Sequence, residues 1–576
     1  MNAIAAALWL LGIGYAGGAL RRDGRASIAD RVRDALVIGV AIPIGLALVH
    51  LLYPAACWIV LAIVVAIAYV RSPRIRTNDV AEPIPYVLAA AVFFVAWPQL
   101  MRPPLDGDTL SYHLPNAAAW VHAGSMWTTD GRYWWYPPAS EAFAAGLYAV
   151  SGPFAVGWAG FGALALLGLR LATWLRERCG ATPLLADIVA AAAVTAAPVA
   201  QQAGSLQNDV WLGAFFLESL WTMLYEPAAA ARTAVVTALI KPYGWVLAVV
   251  AAATTRAARG VWIALAAAAV LWFAHDALLW HRALVPPAET SYANTWSSTI
   301  LANGFGALAL LVRVSFTVSP FFALALLAAF AGPLLDREPR RAIGYSALAA
   351  GLFFLVMPLA FVDVHPELAN GTSLRYAVPA IAAGIVAAGP WIARFSIGTL
   401  VVSALSCVFG VATTAAIYWN DGGTRTALAI GPLAALGAYL SQRTKTVAVC
   451  TVAFALSIVA ASSLAARHPV DYYTDTYAVD GKASRLFAWI ARTQPSSAGG
   501  WGIRIGVVDV LAPHARTLDL PESQPCAAAR AANVALVALA EQDRSPWYNE
   551  QRLRVARACG YVTFLDPLAV VSGFSP

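Results

Sequence analysis

The chain has 576 residues, 60% of them hydrophobic and only 12% charged, about half the charged share of an ordinary soluble domain. With a mean hydropathy of +0.66, this composition excludes a cytosolic enzyme, a nucleic-acid binder and a secreted disulfide scaffold, because most of the chain must be solvated by lipid. The net charge of +7 comes from 35 Arg and 3 Lys against 31 acids; the basic residues cluster in short loops, where they report topology and not a nucleic-acid partner.

Apolar runs long enough for a hydrocarbon core of roughly 30 Å cover residues 2–20, 36–53, 55–70, 84–101, 153–170, 182–200 and 210–225, then 261–279, 319–335, 343–361, 375–393, 396–418, 425–440 and 446–465. Between them, residues 232–255 carry Lys241-Pro242-Tyr243-Gly244 at their centre. Pro removes a donor and Gly frees φ, so this stretch reads as two short helices that enter and return. The basic loops at Arg21–Arg33, Arg71–Arg76, Arg170–Arg178, Arg256 with Arg259, Arg337–Arg341 and Gln442–Lys445 belong on the cytoplasmic side. All six agree only with that returning pair, which gives sixteen segments with both termini outside. A competing solution has one span there and another at 300–314, and it places Arg256 and Arg259 outside. The first apolar stretch lacks a preceding basic residue and reads as an uncleaved anchor.

The outer side then receives a loop at 102–152 whose residues 104–141 are the densest polar and aromatic segment of the membrane part. Asp106 and Asp108 follow directly where the chain leaves the lipid, and His113, Asp130, Arg132 and Glu141 come after them. A carboxylate at that level can take a proton from an acceptor hydroxyl while a lipid-linked donor stays in the bilayer. Trp127, Trp134 and Trp135 suit an interfacial belt, and the run from Tyr133 to Tyr136 fits either that belt or stacking on a substrate.

Residues 466–576 differ from the rest: 21 charged residues in 111, against 48 in the first 465, mark a separate water-exposed domain. Short β-type runs at 504–511, 533–540 and 561–567, with amphipathic helices at 480–493 and 547–559, give a small α/β unit with a partly parallel sheet. No Gly-rich phosphate loop follows a strand, which argues against a nucleotide. Cys526 and Cys559 are the domain's only cysteines and outside the cell would suggest a disulfide; Cys57, Cys179, Cys407 and Cys450 lie in or beside spans.

The stretch Asp108-Thr109-Leu110-Ser111-Tyr112-His113-Leu114-Pro115, followed by Trp120 and Tyr136-Pro137-Pro138, resembles the first outer loop of GT-C fold glycosyltransferases. Gln207-Asn208-Asp209, Ala238-Leu239-Ile240-Lys241-Pro242 and Arg375-Tyr376-Ala377-Val378-Pro379 are similar to stretches of the bacterial branch that holds aminoarabinose transferases and protein O-mannosyltransferases. The resemblance covers residues 84–465. It departs from the family in two places: Thr109 stands where many relatives have a second acid beside the first, leaving Asp106 as the substitute, and residues 1–83 are additional transmembrane segments.

The resemblance implies a mainly α, polytopic GT-C type fold, with a transmembrane catalytic module at 84–465 and an extracytoplasmic α/β domain at 466–576. It implies transfer of a sugar from a polyprenyl-phosphate donor to a lipid, glycan or protein acceptor with inversion, in a bacterial inner membrane. Asp108 is the expected general base, with Asp106 and Asp209 as further catalytic acids. Lys241 and Arg375 are expected at the donor phosphate, and Tyr112, His113, Trp135, Tyr136, Glu141 and Tyr376 at the substrate. Each has a plainer reading. Asp209 caps a span start favourably for dipole reasons, Lys241 can snorkel, Arg375 can anchor at the interface, and His113 and His365 can be hydrogen-bonded loop residues. A divalent metal ion stays open as cofactor. A transporter or flippase is the main alternative, although its ionisable residues would sit nearer the midplane; a non-catalytic assembly partner is another.

Overall fold

The computed structural model describes residues 2–19, 27–71, 85–131, 133, 136–280, 299–337, 341–357, 374–418, 426, 430, 432–434, 436, 447–477, 484–501, 504–521, 524–539, 546–559, 563–566 and 569–572. Helices dominate it. The chain opens with α1 (Asn2–Ala19), α2 (Ile28–Leu48), α3 (Pro54–Arg71) and α4 (Tyr86–Leu100). Next come α5 (Leu114–Ala123), α6 (Ala139–Ser151), α7 (Trp158–Cys179), α8 (Pro183–Thr195), the single turn α9 (Ala197–Ala200) and α10 (Asp209–Tyr225). The Lys-Pro-Tyr-Gly stretch separates α11 (Pro227–Ala238) from α12 (Gly244–Thr255). The remaining membrane part is α13 (Arg259–Trp280), α14 (Gly304–Val318), α15 (Pro320–Phe330), the turn α16 (Gly332–Leu335) and α17 (Ala342–Val356). A 3₁₀ turn at Leu374–Ala377 then leads into α18 (Val378–Ala387), α19 (Gly389–Arg394), α20 (Ser396–Tyr418) and α21 (Val447–Ala465).

Among the described residues, Asn2–Ala19, Pro54–Arg71, Pro153–Cys179, Arg259–Leu279 and Ser396–Ala416 are each long and apolar enough to cross a bilayer unaided, and shorter apolar helices pack among them. The protein is a multi-pass membrane protein. Two elements lie outside the sixteen expected segments. Residues 139–151 form α6, almost wholly buried. Residues 304–318 form α14, which exposes Phe305, Leu308, Val312 and Phe316. Arg313, Ser315 and Thr317 interrupt that second run, which dilutes its hydropathy while leaving one face apolar. Most of the expected span at 425–440 lies outside the described residues.

The three leading helices are packed into the bundle, α2 against α6 and α7, and α1 against α6 and α21. A capping box of Ser27 and Asp30 starts α2. One turn on, Arg33 is fully buried and reaches four acids: Asp30 at 3.2 Å, Asp34 at 2.9 Å, Glu218 at 3.5 Å and Glu226 at 2.9 Å. Arg170 joins Asp30 at 2.5 Å and Glu218 at 2.7 Å, while Arg232 reaches Asp34 at 2.8 Å. Charges taken from water cost several kcal/mol each (~), which mutual pairing repays in part; the seven bonded groups tie α2 to α7, α10 and α11, while Arg33 Nη2, Asp34 Oδ2 and Arg170 Nη1 are buried with no hydrogen-bond partner among the described residues.

The C-terminal region contains α22 (Pro469–Tyr477), α23 (Ser484–Thr493), β1 (Ser497–Trp501), α24 (Gly506–Leu511), β2 (Arg516–Asp519) and α25 (Pro525–Ala531). It ends with β3 (Ala535–Leu539), α26 (Pro546–Arg557), β4 (Thr563–Asp566) and β5 (Ala569–Ser572). The sheet order is β2-β1-β3-β5-β4, with β1 parallel to β2 and β3, and β5 antiparallel to β3 and β4. The fold is therefore polytopic helical with a small α/β domain. The run at 504–511, expected as a strand, is instead α24 from residue 506. All six of its residues are buried, so it shows no alternation of faces, and a short continuous apolar run fits a buried helix as well as a strand. A disulfide joins Cys526 to Cys559. On the side of α23 and α24 the domain shares its apolar core with the membrane part.

Candidate functional site

Four charged residues from four separate stretches meet at one end of the bundle. Asp209 is the first residue of α10, where a carboxylate is favoured by the helix dipole. Its Oδ1 accepts from Lys241 Nζ at 2.5 Å and from the Tyr243 hydroxyl at 2.7 Å. Its Oδ2 faces Arg375 Nε at 3.4 Å. Arg375 in turn donates through Nη2 to Asp108 and to the Tyr376 hydroxyl, the latter at 3.1 Å. The result is an alternating row, Asp108, Arg375, Asp209, Lys241, with no net charge. Side-chain exposure separates its members: 2% for Asp209, 7% for Lys241 and 8% for Arg375, against 33% for Asp108.

The break after α11 is what aims Lys241 at Asp209. Pro242 cannot donate into a continuing helix, and Gly244 N–H closes a turn on the Lys241 carbonyl at 2.8 Å. Neighbouring chain holds the turn: Ala139 N–H donates to the Leu239 carbonyl at 2.7 Å, and Asn208 Nδ2 donates to the Ile240 carbonyl at 3.1 Å. The lysine is thus anchored as part of an ion network, and Tyr376 adds its ring 5.1 Å from Nζ.

Asp108 precedes a widened π turn, Thr109–His113, that runs directly into α5. Leu114 N–H bonds the Thr109 carbonyl, five residues back. Pro115 supplies the local reason: its ring would collide with the Ser111 carbonyl in a regular helix, and such bulges concentrate at functional sites. Asp106 has a different position. Its Oδ1 accepts the Thr109 N–H at 2.8 Å, which caps the turn, and its buried Oδ2 has no hydrogen-bond partner among the described residues. Burial pushes the Asp106 carboxyl up, and the Thr109 hydrogen bonds partly offset that.

A second group lies beside this row. Glu141 is buried and accepts from Ser140 Oγ at 2.8 Å, with His113 Nδ1 2.5 Å from its other oxygen. Tyr112, Tyr133 and Tyr136 cluster, the last two stacked with centroids 5.1 Å apart. Burial drives the Tyr112 hydroxyl well above its ordinary pKa, so it stays a donor. Tyr133 takes a positive φ of 55°, uncommon for an aromatic residue and a form of strain that collects at functional sites.

The expected set therefore falls into two joined groups, Asp108, Asp209, Lys241, Arg375 and Tyr376 in one, Tyr112, His113, Tyr136 and Glu141 in the other, with Asp106 at the cap. Trp135 and His365 lie outside the described residues. Sequence reading missed Tyr243 and Ser140 as partners, although Tyr243 stands two residues past Lys241 in the same break. Among the described residues no three His, Cys, Asp or Glu side chains converge as a metal cage would require, and both row acids are already bound by cations of the chain.

The fold and site define a multi-pass membrane protein with a buried carboxylate–cation row opening at Asp108. No family model matches the chain, and no curated protein does. Among solved structures it is similar to ArnT from Cupriavidus metallidurans bound to undecaprenyl phosphate, at 16% identity and a TM-score of 0.48, over 84% of this chain and 96% of that one. The apo state of the same protein gives 15% identity and a TM-score of 0.47, over 90% and 98%. Identity and score are both low, so what the site does rests on its own geometry.

Proposed function

We propose that the protein is a membrane glycosyltransferase of the GT-C type, moving a sugar from a polyprenyl-phosphate donor to an acceptor hydroxyl at the extracytoplasmic face of a bacterial inner membrane. The observation that carries this reading is the alternating row with Asp108 as its most open member. A lipid phosphate entering beside Asp108 meets Arg375 and Lys241, the two cations that the row holds in place. Arg suits such an anion because its fork matches phosphate oxygens. When the phosphate takes Arg375, Asp108 is released from its ion pair and becomes a free carboxylate beside the acceptor. Donor binding thus switches on the base.

The acceptor oxygen then bonds the anomeric carbon as the carbon–phosphate oxygen bond breaks on the opposite side. Its proton passes to Asp108, and the phosphate leaves on its lipid with its charge held by Lys241 and Arg375. A phosphate leaves without protonation, so a second carboxyl acting as acid, which a glycosidase needs, is not required. Asp209 fixes the two cations, while the tyrosine cluster and the His113–Glu141 pair line the sugar side.

The test is incubation of purified protein in detergent with a panel of polyprenyl-phosphate sugars, following polyprenyl phosphate release in wild type and Asp108→Asn. Release that depends on Asp108 supports the reading and names the sugar. A folded protein that releases nothing from any donor, with crude acceptor extract present, points to transport instead.

A further inference from the structure

The C-terminal domain touches the acid-bearing segment at three points spaced three residues apart. Tyr473 donates its hydroxyl to the Pro104 carbonyl at 3.0 Å. A Cβ built on Gly107 would stand 2.9 Å from Arg504 Nη1, 3.1 Å from Cζ and 3.3 Å from Nη2. One built on Gly506 would stand 2.7 Å from the Leu110 carbonyl oxygen. Three nearly equal distances at Arg504 mean that the flat face of the guanidinium, and not one tip, covers Gly107. That glycine lies between Asp106 and Asp108, and a Cβ there would meet the guanidinium, the far end of a flexible side chain, which must shift to admit it.

Further out the same domain is tied down by Arg516, which grips Asp130 with two hydrogen bonds at 2.8 and 3.0 Å. The Pro513 carbonyl accepts from the Tyr148 hydroxyl at 2.8 Å and lies 2.9 Å from His122 Nε2. Arg504 is brought to its place by the direct packing of α24 on α5 and on the π turn, to which the Asp130 pair is peripheral.

We propose that Arg504 is a positioning residue for the reaction: laid face-on over Gly107, it fixes the segment that carries Asp108, so the C-terminal domain completes the catalytic site. This rests on the glycosyl-transfer reading. The contact is one of shape, which makes a lysine a poor replacement, since a point charge on a flexible stem lacks the planar face. Displacement of a reacting group by about 1 Å can cost on the order of 100-fold in rate.

The experiment measures donor turnover by full-length protein in detergent for Arg504→Ala, Arg504→Lys, Gly107→Ala and the Arg504→Ala/Gly107→Ala double variant. Positioning predicts that each single change lowers kcat by about 100-fold with donor KM within about twofold, and that the double variant is no worse than either single one. Asp130→Ala, which cuts the outer tie alone, keeps wild-type kcat. The proposal is overturned if Arg504→Ala turns over normally, if Lys restores full rate, if the loss is in KM alone, if the two changes add, or if Asp130→Ala loses as much as Arg504→Ala. If wild type itself releases nothing, the glycosyl-transfer reading has failed, and the same double-variant cycle run on thermal unfolding decides whether residues 107 and 504 are coupled.

Discussion

Arg375 and Asp108 stand 267 positions apart in the chain and form one ion pair. The pair joins the residue proposed as base to a residue proposed for the donor phosphate, each satisfying the other.

Replacing Asp108 by Asn keeps the shape and removes the proposed base. General-base help is worth about 10²–10⁴ in rate, so donor release falls at least 100-fold, the lower end of that range. The Asp108 side chain is one-third exposed, and the fold is therefore expected to survive with little change in melting temperature. A variant that keeps wild-type turnover removes Asp108 from the mechanism.

Asp209→Asn acts on a buried group. It leaves Lys241 and Arg375 facing each other across a neutral amide, and breaking a buried pair from one side costs about 3–5 kcal/mol. The melting temperature drops, and polyprenyl phosphate, whose dianion replaces the missing charge, raises it more in the variant than in wild type. Thermal unfolding with and without the lipid checks both; equal shifts in the two proteins would separate this cluster from phosphate binding.

Asp509 gives a pH dependence outside the spans. Its Oδ1 accepts from Thr517 Oγ1 at 2.7 Å and it is fully buried, which pushes its carboxyl up to about 7. Between about pH 4, where an unfolded aspartate ionises, and pH 7, the native group holds a proton that the unfolded chain has released. Stability from this group is then present at the acid end and lost as pH rises through that window. Asp509→Asn removes the loss, so the variant's melting temperature exceeds that of wild type by a margin that grows from pH 5 to pH 8. A margin independent of pH would contradict the assignment.

Arg33→Met tests the other ion network. Four acids lose their shared cation, and destabilisation of about 3–5 kcal/mol is expected from unpaired buried charge. Because Arg33 belongs to α2 and contacts Glu218 and Glu226 of α10 and its end, the damage spreads to the helix that presents Asp209. Loss of melting temperature together with weaker donor turnover would show the leading helices supporting the site, whereas an unfolding curve like wild type's would show that they do not.

Much of this was legible in the sequence for a physical reason. Charged residues inside apolar runs are expensive, so Lys241 stands out, and Pro242 with Gly244 two residues on marks the break that carries it. Asp108, Asp209 and Arg375 could each be picked from a motif, yet each alone also fits a cap or an interfacial anchor. Only the folded chain shows them bonded to one another. The role of Asp106 as a cap depends on one backbone hydrogen bond to Thr109, which its charge does not announce. The run over 504–511 reads as a strand because six buried residues in a row carry no periodicity, and nothing near Arg504 in the chain announces its contact, which lies almost four hundred residues away.

The buried network around Arg33 has one more consequence. α10 is held at its first residue by Lys241 and at its far end by Arg33, roughly 24 Å away along a helix that rises about 1.5 Å per residue. Clamped at top and bottom, it behaves as a fixed post that cannot slide or tilt without tearing one network apart. In the proposed reaction the exchange of partners then falls to the Arg375 side chain, which trades Asp108 for phosphate while the helix beneath it stays in place.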